Sequence, residues 1–306
     1  MHVFVTGASG WIGSAVVPEL IGAGHRVTGL ARSDASAAAL VAAGAEVQRG
    51  TLDDLDILRK ATEAADGAIH LAFKHDVAFS GGFEAAAEAD RRAVETMGEA
   101  LAGSGRPFVL ASGLLGLKPG RLATENDMAD ADHLPGGPRI RMGTADVTLS
   151  FSSRGVRSSV LRLPPTVHGD GDNGFMATLV GIARDKGVSG YIGDGSNRWP
   201  AVHRFDAARL FRLALEKAPA GSVLHAVGDE GVPIRSVAEV IGRQLDIPVT
   251  SVSAADAPGH FGWLGAFIGI DSPASAALTR ERMSWEPTHP TLIEDLSERH
   301  YFTASK

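Results

Sequence analysis

The stretch Val3-Phe-Val-Thr-Gly-Ala-Ser-Gly-Trp-Ile-Gly13 decides the fold. An apolar run from Val3 to Val5 leads into glycines at 7, 10 and 13, and Ser14 to Leu20 then reads as a helix opening. A strand that turns tightly into a helix leaves backbone N–H groups unpaired at the helix N-terminus. Those groups, with the positive end of the helix dipole, favour a pyrophosphate. Gly7 permits the turn, Gly10 lets the backbone approach the phosphates, and Gly13 lets helix and strand pack closely. The spacing is Gly-x2-Gly-x2-Gly, a variant of the G-x-G-x-x-G fingerprint, and its place between strand and helix is what points to a dinucleotide. Ser9, Trp11 and Ile12 fill the turn and join the three glycines as cofactor-binding candidates.

Outward from this turn, short apolar strands alternate with longer helical segments. Strands are expected at His2–Thr6, Arg26–Ala31, Glu46–Gln48, Ala68–Leu71, Phe108–Ala111 and Ser159–Leu163. Helices are expected at Ser14–Ala23, Ser36–Ala43, Asp54–Ala64, Phe83–Ala102 and about Pro138–Ser153. Gly24, Gly44, Gly67 and Gly105 punctuate the helix ends. Alternation at this interval predicts parallel crossovers, hence an α/β fold with a doubly wound parallel (Rossmann) sheet. After Leu163 the rhythm changes. Pro164-Pro165 must turn the chain out of the sheet, and glycine-rich loops follow at 169–174 and 190–195. Further helices are expected at Phe175–Lys186, Asp206–Lys217, Ile234–Leu245 and Thr291–His300, with short strands at Val223–Ala226 and Val249–Val252. The expected division is a dinucleotide-binding domain over 1–164 and a smaller C-terminal substrate-binding lobe over 165–306, some of whose segments return to the first domain.

Composition narrows the function class. A chain of 306 residues with 44% hydrophobic and 21% charged residues describes an ordinary globular protein able to bury a large core. A formal net charge of −7 argues against nucleic acid or an anionic membrane as the main partner. There are no cysteines, so thiol chemistry and Cys-based metal sites are excluded, and the eleven His show no His-x3-His pair. The expectations are no metal, a small-molecule substrate, no membrane span and a cytoplasmic location; oligomeric state is not legible.

The second strand carries the choice of cofactor. An acidic residue at its end suits the ribose 2′-OH, whereas a cation suits a 2′-phosphate. This strand ends Leu30-Ala-Arg-Ser33, with Ala31 at the acidic position. Arg32 offers charge-assisted hydrogen bonds and Ser33 a hydroxyl, which points to NADP(H).

Thr6-Gly-Ala-Ser-Gly-Trp-Ile-Gly13 resembles the Thr-Gly-x-x-Gly-x-x-Gly motif of the extended short-chain dehydrogenases/reductases, the epimerase/dehydratase group. The resemblance runs through most of the chain. It implies that Asp53 hydrogen-bonds adenine and that Leu71-Ala72-Phe73 passes the cofactor after the fourth strand. It places Ser112 and Gly113 at the serine motif ending strand five, and Pro164, Thr166 and His168 in the turn that packs on the nicotinamide. Gly193-Asp-Gly-Ser-Asn-Arg-Trp-Pro-Ala-Val-His203 and Asp206 resemble the substrate-lobe segment. Several residues have a plainer alternative: Asp53 as the N-cap of the following helix, Ser112 as a hydroxyl that satisfies loop backbone, Arg32 as a surface cation after a strand, Lys74 and His75 as a solvated loop pair, and His168, His203 and Asp206 as structural residues.

The family's usual chemistry depends on a Tyr acid and a Lys four residues along one helical face. The two tyrosines here, Tyr191 and Tyr301, have Gly195 and Ser305 at i+4, and the interval between Lys118 and Lys186 contains neither Tyr nor Lys. The closest register puts Arg141 at the Tyr position and Ala145 at the Lys position, with a shift of several residues still open. The chain thus resembles the atypical members that keep the cofactor fold without the pair, some of which are ketoreductases of aromatic polyketide pathways. Two functional classes follow. One is an NADPH-dependent reductase of a bulky hydroxylated carbonyl compound, with Ser112 on the reacting oxygen and Lys74, His75, Gly113 and His168 toward the substrate. In it, Lys74 or His75 could replace the missing proton donor, or the substrate's own hydroxyl could assist. The other is a non-catalytic NADP(H) sensor; a sugar-nucleotide epimerase fits less well, because that chemistry needs the missing Tyr. The apolar segments 113–117 and 260–264 are expected to line a pocket for a flat substrate or to close the lobe's core.

Overall fold

The computed structural model describes residues 1–128 and 136–303. In chain order β1 (His2–Thr6), α1 (Gly13–Gly22), β2 (Arg26–Ala31), α2 (Asp34–Ala42), β3 (Glu46–Arg49), α3 (Leu55–Glu63) and β4 (Gly67–His70) form the first crossovers. A short α4 (His75–Val77) and a π-helical turn (Ala78–Gly82) lead into the long α5 (Phe83–Leu101) and β5 (Pro107–Gly113). Then come α6 (Gly136–Ser150), β6 (Arg157–Leu163), β7 (Thr166–His168), α7 (Phe175–Lys186), β8 (Ser189–Ile192), β9 (Arg198–His203) and α8 (Arg204–Lys217). The chain ends with β10 (Ser222–His225), β11 (Asp229–Pro233), α9 (Ile234–Leu245), β12 (Val249–Val252), α10 (Ala257–Phe261), α11 (Ala277–Met283) and α12 (Leu292–Ser297).

The main sheet has seven strands in the order β10-β6-β5-β4-β1-β2-β3, every neighbouring pair parallel. The sequence of strands reverses between β1 and β4, and ligands bind at the carboxyl edge of such a reversal. One face buries Val5, Val16, Leu20, Phe211, Leu215 and Trp285. The opposite face buries Phe4, Leu58, Val94, Met97, Phe108 and Phe151. Each such side chain contributes roughly 1.5–3 kcal/mol, so the sheet is held from both sides. A separate cluster of Met176, Trp199, Ile241, Phe261, Leu264 and Leu296 forms around the three-stranded β11-β9-β7 and two-stranded β12-β8 sheets. The buried indoles of Trp199 and Trp285 donate to Ile270 O and Asp206 O, both at 3.0 Å, which removes the cost of burying their N–H groups.

Several sequence expectations need correction. Gly67 does not end a helix; it opens β4, where a Cβ would lie 2.6 Å from Pro107 Cγ. Residues 190–192 are not loop but part of β8, and Gly190 is small because His260 Nε2 would sit 2.5 Å from a Cβ there. The helix expected to reach His300 stops at Ser297 and is followed by a 3-10 turn over Arg299–Tyr301. The strand read near Val223–Ala226 is β10, which joins the edge of the main sheet with Ser222 opposite Ser159. Among the described residues no helix is long and apolar enough to cross a membrane.

Candidate active site

The glycine turn is built on backbone contact. Gly7 has φ +66°, and a Cβ there would meet Ala72 N at 2.7 Å. A Cβ on Gly13 would sit 2.1 Å from Gly7 O, so α1 starts directly against the turn. Gly10 N–H donates to Gly7 O at 3.0 Å, while the amides of Trp11 and Ile12 meet no acceptor among the described residues. Unpaired amides before a ten-residue helix, beside exposed Ser9 and Gly10, fit a pyrophosphate. Trp11 turns its ring away from this cradle: Nε1 donates to Val167 O at 2.8 Å, and the Arg204 guanidinium lies 4.4 Å over the indole. Only its backbone faces the cradle.

The rim beyond β2 carries the cations expected from the sequence, each with a partner. Arg32 donates to Asp76 at 3.0 Å, and Lys74 Nζ donates to both oxygens of Asp53 at 2.6 and 2.8 Å. Exposed pairs of this kind add little to stability and exchange partners readily. Ser33 is the N-cap of α2, its hydroxyl accepting Ser36 N–H at 3.2 Å. The N-cap reading of Asp53 fails, because Asp54 holds that position and its carboxylate accepts Thr51 N–H at 2.7 Å.

In β5 and β7 three buried polar atoms lack partners among the described residues: Ser112 Oγ, Thr166 Oγ1 and His168 Nε2. Buried groups are almost always hydrogen-bonded, so each of the three is a group that a ligand or water would complete. The alternative for Ser112, a hydroxyl serving the loop, finds no support in its contacts. Gly113 has open space where a Cβ would be, and Pro164 is buried beside β6. His168 is fixed from behind by Asp295, 2.9 Å from Nδ1. Its edge meets the ring of His203 at 5.4 Å, and His203 stacks on His289 at 4.7 Å. Burial, then the neighbouring His168 and His289, push the His203 pKa down to about 4.

Phe73 follows β4 into an aromatic wall. Its ring meets His75 at 5.0 Å, His75 stacks on Phe79 at 5.8 Å, and Phe79 meets Trp263 at 4.9 Å. Phe79 and Trp263 remain 51% and 46% exposed, so this wall, built from segments far apart in the chain, reaches solvent. Leu114 and Leu117 belong to the sheet core, and Phe261 and Leu264 to the second core, which leaves Trp263 as the outward residue of segment 260–264. His75 is exposed at its edge, yet crowding by its surroundings and then Arg141 hold its pKa below the ordinary value.

Sequence reasoning missed one group. His70 is fully buried, with Nδ1 2.8 Å from Thr6 Oγ1 and Nε2 3.1 Å from Asp90 Oδ1. Arg141 donates to Asp90 Oδ2 and, at 3.0 Å, to Ala111 O, and its guanidinium lies 4.6 Å over the Phe73 ring. Burial would raise the Asp90 pKa, but Arg141 and His70 hold it below the ordinary carboxylate value. The signal was present: Asp90 falls on the stripe Ala86, Ala93, Met97 that α5 buries. Ala145, four residues after Arg141, is buried in the core beneath the sheet.

Comparison with known proteins agrees with this geometry. The model of the NAD dependent epimerase/dehydratase family matches residues 3–136. An uncharacterised protein of Schizosaccharomyces pombe is 50% identical over 303 residues, covering 99% of this chain and 100% of that one. The 4-hydroxy-2-methyl-3-oxo-4-farnesyl-3,4-dihydroquinoline-1-oxide ketoreductase of Stigmatella aurantiaca is 25% identical over 280 residues, covering 86% of this chain and 80% of its own. Among solved structures, the dTDP-glucose 4,6-dehydratase DesIV of Streptomyces venezuelae with NAD bound superposes with a TM-score of 0.75 at 19% identity, over 98% of this chain and 96% of that one. Glycine turn, parallel sheet and family match converge: residues 3–136 of the chain belong to the NAD dependent epimerase/dehydratase family.

Proposed function

We propose that this NAD(P)-dependent oxidoreductase is an NADPH-dependent ketoreductase acting on a bulky, hydroxylated carbonyl compound without a Tyr acid. The observation that carries the reading is the buried, unpartnered Ser112 Oγ at the carboxyl end of β5, where a substrate oxygen would complete it. Residues 1–164 are assigned to the nucleotide and the remainder mainly to the substrate. Gly7, Ser9, Gly10, Gly13 and the backbone of Trp11 and Ile12 hold the pyrophosphate. Asp53 takes the adenine, Leu71 to Phe73 line the riboses, and Pro164 and Thr166 back the nicotinamide. Arg32 takes the 2′-phosphate by exchanging Asp76 for a doubly charged partner. The bound cofactor supplies the hydride.

The exposed aromatic residues Phe79 and Trp263 suit a flat substrate, with His75, Gly113 and His168 at its edge. The quinoline ketoreductase relative carries in its name a 3-oxo group beside a 4-hydroxyl, the arrangement in which a substrate hydroxyl can assist. A non-catalytic sensor needs no such lined cleft.

The test is NADPH oxidation with a panel of polycyclic hydroxyketones, beside calorimetric binding of NADPH and NADH. Turnover with one class of ketone, and an NADPH preference that Arg32→Ala erases, are expected. Equal affinity for both cofactors removes the NADP assignment, and cofactor binding with no turnover across the panel favours the sensor.

A further inference from the structure

A carbonyl carbon that accepts a hydride forms a C–H bond while its π electron pair moves onto oxygen. The nicotinamide is left oxidised, and the new alkoxide takes its proton from water or from the substrate's neighbouring hydroxyl. Without a Tyr, the charge on that oxygen needs another partner before the proton arrives. We infer that Arg141 is that partner: a fixed cation bonded to the β5 backbone next to Ser112 in the chain, which stabilises the oxyanion and is held in place by the buried Asp90. The inference rests on the reductase reading above.

The argument begins with placement. Arg141 donates to Ala111 O, the residue immediately before Ser112, and covers Phe73, which follows β4. Its guanidinium therefore lies at the carboxyl edge of β4 and β5, bonded to the backbone one residue before Ser112, whose Oγ has no partner. Contacts to α5, to β5 and to the segment after β4 fix it from three directions, so little reorganisation is needed when charge develops.

Donor capacity is the second point. A guanidinium has five N–H groups, and the Asp90 and Ala111 bonds use two of them. The side chain keeps 20% of its surface open, so a ligand can reach it. Arg does not give up its proton, so its role is electrostatic and not that of an acid.

Asp90 is the positioning residue. One of its oxygens takes Arg141 and the other His70, whose far nitrogen meets the Thr6 hydroxyl. Thr6 Oγ1 also accepts Ala72 N–H at 3.3 Å. With a neutral His70 every member has a partner: Thr6 O–H donates to Nδ1, and Nε2–H donates to Asp90. The chain couples Arg141 to the backbone that packs against Gly7.

An oxyanion probe tests this without turnover. 4-Nitrophenol is titrated against the protein loaded with NADP⁺, and the visible phenolate band reports which form binds. Wild type is expected to bind the phenolate about 10- to 100-fold more tightly than Arg141→Met, as for a hydrogen bond to a charged group. Arg141→Lys is expected to recover part of the difference. Should Arg141→Met fail to fold with Asp90 unpaired, the double variant Asp90→Leu/Arg141→Met removes both charges and takes its place. Equal phenolate affinity in wild type and a folded variant, or no phenolate binding by wild type, overturns the inference. A ketone turned over equally by wild type and Arg141→Met overturns it while leaving the reductase reading intact. Arg141-dependent phenolate binding with no ketone turned over supports the oxyanion site and counts against the reductase reading.

Discussion

Gly13 lies directly beneath Gly7, with a Cβ at position 13 falling 2.1 Å from the Gly7 carbonyl oxygen. That atom is backbone and cannot swing aside, and Gly10 N–H is bonded to the same oxygen. Gly13→Ala must therefore push the start of α1 away from the turn and spread the unpaired amides. It is expected to weaken dinucleotide binding at least ~100-fold and to lower stability by roughly 2–3 kcal/mol. Calorimetric titration and urea unfolding read the two effects separately. Gly22→Ala, whose Cβ would meet nothing within 4 Å, serves as the control and is expected to leave binding unchanged.

Asp90 is itself closed to solvent and carries two partners, His70 buried with it and Arg141 partly open. Removing one charge of a buried pair costs about 3–5 kcal/mol, whereas removing both often costs little. Asp90→Asn is expected to unfold at markedly lower urea than wild type, and Asp90→Leu/Arg141→Met to regain much of the loss. A single variant as stable as wild type would mean that the His70–Asp90–Arg141 chain contributes nothing to the fold.

The sheet and the glycine turn were legible because both are local: strand–helix alternation and a glycine pattern each fit within a short window. Trp11 shows the limit. Its place in the turn was clear from sequence, but its bond to Val167 O spans 156 residues and decides that only its backbone faces the cradle. Asp54, one residue beyond Asp53, took the N-cap because its carboxylate reaches back to Thr51, a matter of backbone angle that residue type does not fix. Strands β7, β8 and β9 carry Gly, Pro and His and pair in small sheets, so neither alternation nor a long apolar run announced them. Arg141 was located by the absence of Tyr and Lys, but its partners come from α5 and β5, and only the folded chain brings those together.

Two buried imidazoles contribute to the acid side of the stability profile. Burial pushes the pKa of both His203 and His225 down to about 4. His225 sits between Ser275 O, 2.9 Å from Nδ1, and Arg162, 3.4 Å from Nε2. That pattern needs Nδ1–H as donor and Nε2 as acceptor, so a proton on Nε2 would face a guanidinium. His203 likewise accepts Phe205 N–H on Nδ1 at 3.3 Å. A group with a depressed folded pKa contributes stability above its unfolded pKa and loses it as pH falls through the folded one. The unfolded chain binds these protons from about pH 6.5 downward and the fold resists until about pH 4, so stability should decline across that window, by a few kcal/mol in all. Asp127, with Arg121 first among the groups holding its pKa down to about 2, acts below this range. Burial also lowers the pKa of His75 and His260 and raises that of Asp172, so these groups add to or oppose the effect near the same window. Urea unfolding between about pH 7.5 and about pH 4.5 is expected to show the decline in wild type and a shallower one in His203→Asn/His225→Gln. That variant should be less stable at neutral pH, since it replaces two packed rings; an equally steep acid decline in both proteins would assign the effect to other groups.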